Sequence, residues 1–176
     1  MLLPVLILTF LYLFFKNRKK KIVVKKEDRR KYTDILTSLK NRNYLNLNMK
    51  AWEESKVYPQ TIVMIDLNNT KYVNDNYGHE AGDGLIIACA STLVNTQLEN
   101  SEIIRTDGNE FLVYLVGYTE KQIETYCKKL KKEFNELPYG FGAALGYSMI
   151  TDDIKTIDDA INEATLEMKT EKEELK

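Results

Sequence analysis

Two short segments concentrate the side chains that could do chemistry. The run QTIVMIDL at 60–67 delivers one carboxylate, Asp66, and the stretch Asp107-Gly108-Asn109-Glu110 sets two acids and an amide around a glycine. An apolar run with β-branched residues, bounded by Pro59 and Asn68-Asn69, is the pattern of a buried strand, and Asp66 falls at its C-terminal edge. Asp-Gly between the apolar runs 103–106 and 111–116 is the pattern of a hairpin tip. If the two strands are neighbours, these carboxylates converge, which is how a site for divalent cations and phosphates is built. A solvated strand end beside a tight turn fits the same spacing. Zinc is excluded because His79 is the only histidine, and Cys89 and Cys127, without CxxC spacing, read as free buried thiols in a reducing cytosol.

The elements that must position these groups follow from periodicity. Residues 24–50 read as helix, with Tyr32, Ile35, Leu36 and Leu39 at helical spacing until Asn41-Arg42-Asn43 breaks the pattern. Beyond the 60–67 strand, 69–77 and 80–97 read as two helices separated by Gly78-His79, the second burying Leu85, Ile86, Ala88, Cys89 and Leu93. The hairpin strands come next, then a helix over 119–137 that Pro138 ends, a strand over 141–150 and a closing helix over 157–172. This order predicts an α/β fold, an α+β sandwich with a central, mostly antiparallel sheet forming one layer of strands under helices.

The charge of the 176-residue chain is split in a way that its net value of -1 conceals. Residues 16–31 hold ten basic side chains and two acids, a local +8 that leaves -9 for the remainder. One basic block ahead of an acidic body argues against a nucleic-acid binder, which spreads its basic residues over the folded surface. The block follows a stretch without charge, MLLPVLILTFLYLFF at 1–15, read as a transmembrane anchor. As a helix it covers roughly 22 Å against the roughly 30 Å hydrocarbon core, so Lys16 and Arg18 must snorkel. The flanking lysines place the C-terminal body in the cytosol. The expected division is therefore an anchor at 1–15, a basic juxtamembrane helix or linker at 16–31, and one domain at 32–176, large enough to bury its own core.

Three ordered segments identify a resemblance: Asp34 to Arg42 (DILTSLKNR), Ile65 to Asp83 (IDLNNTKYVNDNYGHEAGD) and Arg105 to Phe111 (RTDGNEF). In order and spacing they are similar to the GGDEF family of diguanylate cyclases, whose motifs read DxLTxLxNR, IDxDxFKxxNDxxGHxxGD and RxGGDEF. The resemblance implies a nucleotide-cyclase or polymerase-palm-like fold that condenses two GTP molecules into cyclic di-GMP with Mg²⁺ or Mn²⁺, two subunits meeting face to face. It implies metal binding at Asp66, at the Leu67 carbonyl and at the position of Asn109. It implies guanine reading by Asn74 and Asp83, phosphate contacts by Lys71, Lys169 and Gly108, and catalytic parts for Glu110 and Lys71. His79 matches the family's GH, where a local structural role is as good a reading as a catalytic one.

The departures from the family pattern fall on the metal and phosphate positions. Asn109 offers one neutral amide oxygen where the family has an acid, and two Mg²⁺ beside a triphosphate need anionic protein ligands. Asp107 replaces the first glycine and adds negative charge where phosphates approach. Asn68 and Thr70 replace an aspartate and an aromatic, Glu173 stands where the family has an arginine one turn after Lys169, and an RxxD motif is absent around Leu98 and Ser101.

The expected function is a membrane-anchored GGDEF protein of cyclic di-GMP signalling, its cyclase weak or inactive, keeping a guanine-nucleotide pocket and serving as a GTP-binding or protein-interaction module. An active diguanylate cyclase is the alternative. Expected partners are GTP, a second copy through the juxtamembrane helix and the bacterial cell membrane, crossed once with the C-terminal domain cytoplasmic.

Overall fold

A computed structural model describes residues 30–174, and the anchor and most of the basic block expected at 1–29 lie outside the described residues. The central element is β2 (Gln60–Leu67), in which every residue is buried. A strand apolar on both faces needs cover on both, and alternate residues feed two cores. Val63, Ile65 and Leu67 pack with helices α3 (His79–Asn95) and α4 (Glu120–Asn135), through side chains such as Leu85, Cys89, Leu93, Ile123 and Phe134. Ile62 and Met64 pack on the opposite face with α1 (Arg42–Ser55) and α5 (Ile157–Glu174), through Leu45, Ala160, Ala164 and Met168. Helices thus flank the sheet on both faces.

The sheet has five strands in the order β1-β3-β4-β2-β5, formed by β1 (Lys40–Asn41), β2, β3 (Ser101–Arg105), β4 (Glu110–Val116) and β5 (Ala143–Ile150). Only the β1–β3 pairing is parallel, so the sheet is mostly antiparallel as the sequence predicts. Helix α2 (Thr70–Tyr77) follows β2 directly, and Gly78, at φ 88°, separates it from α3. A short 3₁₀ turn, Pro138–Gly140, ends α4 as Pro138 predicts. Among the described residues no helix is long and apolar enough to cross a membrane.

The helix expected over 24–50 is corrected. Residues 33–40 form a turn, closed by a Thr33–Lys40 bridge and by hydrogen bonds from the Asp34 amide to the Leu39 carbonyl (2.8 Å) and from the Ser38 amide to the Asp34 carbonyl (2.9 Å). The Asp34 carboxylate accepts from the Thr37 amide and hydroxyl at 2.8 and 2.7 Å, a local alternative to helical bonding. Asn41 is a start signal: its side chain accepts from the Tyr44 amide (3.2 Å) and caps α1. Ile35, counted as apolar periodicity, is 92% exposed.

Both cysteines are free and buried, and burial pushes the Cys127 thiol up to about 12.

Candidate nucleotide and metal site

Register brings the two chemical segments together. Strand β4 runs antiparallel beside β2 with Glu110 opposite Asp66, and the 106–109 turn folds over the end of β2, where the Leu67 amide donates to the Asn109 carbonyl at 3.1 Å. The turn is held from outside. Arg105 donates to the Gly108 carbonyl from Nε (3.1 Å) and Nη2 (2.6 Å), while its Nη1 pairs with Asp34 at 2.9 Å. Burial raises the Asp34 carboxyl, and the hydrogen bonds from Thr37 and Arg105 outweigh it, holding the group below its ordinary value.

Inside the turn, Asn109 directs its amide nitrogen at two acceptors. It donates to the Asp66 Oδ1 oxygen and, at 3.0 Å, to the Leu67 carbonyl, the two groups for which the family resemblance implies metal binding. Two acceptors on one side fix the amide with its NH₂ toward them, since only that end donates. The second carboxylate oxygen of Asp66 is also taken, by an ion pair from Lys172 Nζ at 2.6 Å. Asp66 is thus enclosed by an amide donor and an ammonium, with its side chain 12% exposed.

The position of Lys172 follows from how α5 lies on edge strand β5. A Cβ on Gly146 would stand 2.2 Å from the Ala164 carbonyl oxygen and 2.4 Å from the Met168 amide nitrogen, so only glycine lets the helix backbone approach this closely. The outward amides of Leu145 and Tyr147 donate to Glu171 (2.6 Å) and Glu167 (2.8 Å), and the Ser148 hydroxyl to Glu163 (2.6 Å). This row of carboxylates satisfies an otherwise open strand edge. Glu171 binds next to Ala144, which pairs with Asp66 across the sheet, and the following residue, Lys172, reaches Asp66. Sequence reasoning missed Lys172. Its signal was a lysine one turn beyond Lys169, on a helix predicted to close over the sheet.

Glu110 sits half-buried beside this cluster. Burial foremost, then the charges of Asp66 and Asp107, push its carboxyl above the ordinary value, and Lys169 and Lys172 oppose them in part. Asp107 is exposed, and its carboxylate accepts from the Gly108 amide (2.8 Å) in its own turn. It does not replace the missing ligand beside Asp66. Asn68 ties the strand end to the neighbouring loop, its amide side chain donating to the Phe141 carbonyl (3.0 Å) and its backbone amide to the Gly142 carbonyl (3.1 Å).

The expected guanine readers lie on the next two helices. Lys71 and Asn74, three residues apart on α2, share a face, and Asp83 stands exposed on α3. The Asn74 amide lies over Gly82, where a Cβ would stand 1.9 Å from its Oδ1 atom. Among the described residues neither the Asn74 amide nor the Asp83 carboxylate has a hydrogen-bond partner in the protein. His79 is exposed at the start of α3.

Residues 31–176 match the family described as diguanylate cyclase, GGDEF domain. The chain belongs to the GGDEF family. Diguanylate cyclase DgcP of Escherichia coli is 31% identical to it over 153 residues, covering 80% of this chain and 44% of DgcP. The chain thus spans less than half of that relative's length. A sensory box/GGDEF family protein from Caulobacter crescentus superposes with a TM-score of 0.71 at 28% identity, covering 81% of this chain and 99% of that one. The coiled coil and GGDEF domain of DgcB from Caulobacter crescentus, in complex with c-di-GMP, shares the fold with a TM-score of 0.81 at 16% identity, covering 92% and 91% of the two chains.

GGDEF cyclases use GTP and Mg²⁺, and the residues here fit that ion poorly. Of the expected ligand set, Asp66 and Leu67 face the NH₂ of Asn109, and Asp66 is neutralised by Lys172. Among the described residues no three acids, histidines or cysteines stand together to hold a metal.

Proposed function

We propose that this GGDEF protein is a degenerate cyclase, weak or inactive in making cyclic di-GMP, which keeps a guanine-nucleotide pocket and signals by binding GTP or a protein partner. The observation that carries the reading is the Asn109 amide, which offers hydrogen-bond donors where a cyclase needs oxygen ligands for Mg²⁺. Asn74 and Asp83, free of internal partners, support the pocket: an amide and a carboxylate suit the guanine edge, which presents both acceptors and donors. Lys71 and Lys169 are the phosphate-contacting cations in this reading, and Gly108 is the point where backbone approaches phosphate.

In this reading the chain is held at a bacterial membrane through 1–15, with 16–31 as a basic juxtamembrane segment that pairs two copies and 32–176 as the cytoplasmic domain. Calorimetry with GTP tests the ligand. A dissociation constant in the micromolar range supports the nucleotide module, and no binding at about 1 mM leaves a protein-interaction scaffold. The alternative of an active cyclase draws on the intact register of Asp66 against Glu110; cyclic di-GMP formation that is lost in Asp66→Ala would establish it.

A further inference from the structure

The Asp66 carboxylate is the one buried acid in the sheet, and its two oxygens have separate donors from separate parts of the chain. One donor is a neutral amide from the 106–109 turn, the other an ammonium from the last turns of α5. Together they supply what a divalent ion supplies to such a carboxylate: charge neutralisation and a bridge to the neighbouring Leu67 carbonyl. The Lys172 side chain is 30% exposed, and it borders an open cleft of about 180 Å³ formed with Asn68, Asn69 and Gly142 at the start of α2. It can therefore neutralise Asp66 and still face an anion from solution.

We propose that Lys172, with Asn109, is a built-in substitute for the divalent cation, so that this site excludes the metal and meets a phosphate-bearing ligand with its own ammonium groups. The inference rests on the reading of the domain as a nucleotide binder only for the identity of that ligand. Its placement is structural: Glu171, bound to the Leu145 amide, and the glycine-permitted contact at Gly146 set α5 in the register that brings Lys172 to Asp66. A divalent ion entering here must displace the ammonium and turn the Asn109 amide around. Removing the ammonium and restoring a carboxylate should therefore recreate a metal site.

The test is Mn²⁺ binding by the 176-residue chain, read from loss of the free-ion paramagnetic resonance signal. Four proteins are compared: the parent, Lys172→Met, Asn109→Asp/Lys172→Met, and that double variant with Asp66→Asn. Expected are no Mn²⁺ binding by the parent at about 1 mM, an affinity gain of about tenfold or more in the double variant, and loss of that gain with Asp66→Asn. Parent binding as tight as that of the double variant overturns the proposal, as does a folded double variant, checked by circular dichroism, that gains nothing. A second arm measures a fluorescent GTP analogue with Mg²⁺ and with chelator. Equal affinity within about twofold is expected, and binding that requires Mg²⁺ overturns the substitution. If the analogue binds in neither condition, the nucleotide reading falls while the Mn²⁺ comparison still decides this inference.

Discussion

Lys172 Nζ lies 2.6 Å from Asp66 Oδ2, an ion pair joining the last turns of the closing helix to the end of the central strand. With Asn109 on the other oxygen, the acid that should hold metal is fully engaged within the chain. The stability and binding consequences can be measured separately.

Gly82→Ala should separate folding from recognition. The new Cβ meets only the end of the Asn74 side chain, which is half-buried and can move aside, and alanine favours the helix by about 1 kcal/mol. The melting temperature should hold or rise, while GTP affinity falls about tenfold because Asn74 is displaced. Unchanged GTP affinity in the folded variant would remove Asn74 from the pocket.

Gly146→Ala should have the opposite character. Here the Cβ meets helix backbone, at Ala164 and Met168, which cannot swing away. Destabilisation of about 3 kcal/mol is expected in urea unfolding. A loss under about 1 kcal/mol would show that α5 lies further from β5 than described.

Asp34→Asn should loosen the 106–109 turn. Asp34 anchors Arg105, which holds the Gly108 carbonyl, and losing the charged partner costs about 1–3 kcal/mol at neutral pH. Because the folded Asp34 carboxyl lies below its ordinary value, its contribution is present above the ordinary carboxylate range and is lost as pH falls through the folded value. Parent and variant should therefore converge in stability in strong acid. A gap that does not change with pH contradicts the pairing.

Glu110→Gln should stabilise. The Glu110 carboxyl is raised, by burial foremost, so the folded state disfavours its charge and loses stability as pH rises from the ordinary value through the folded one. At neutral pH the variant should gain less than about 1 kcal/mol, given the partial solvent exposure, and the gain should vanish in acid. A destabilised variant at neutral pH would mean that the charge is better compensated by Lys169 and Lys172 than burial suggests.

The sequence made the central architecture legible because β2, α3, α4 and β5 carry strong periodic or continuous apolar patterns, and because Asp-Gly marks the hairpin whose tip reaches Asp66. It failed at 33–41, where the Asp34 side chain competes with the helix for the Thr37 amide and Asn41 starts a helix instead of ending one. β1 escaped notice because two residues show no period, and its pairing with β3 is a long-range event. At the site, Asp66, Leu67, Asn109 and Glu110 are brought together as the residue pattern implied, and Asn74 lies beside Gly82 near Asp83. Lys172 was invisible because its partner lies over a hundred residues away and only the crossing of α5 over β5 joins them.

The most direct test of the degenerate site is a product assay. The 176-residue chain, alone and fused to a dimerising coiled coil so that two half-sites can meet, is incubated with GTP and Mn²⁺ and the products are separated by chromatography. Little or no cyclic di-GMP is predicted from either form. Sustained multiple-turnover formation of cyclic di-GMP by the parent sequence, abolished by Asp66→Ala, would contradict the account.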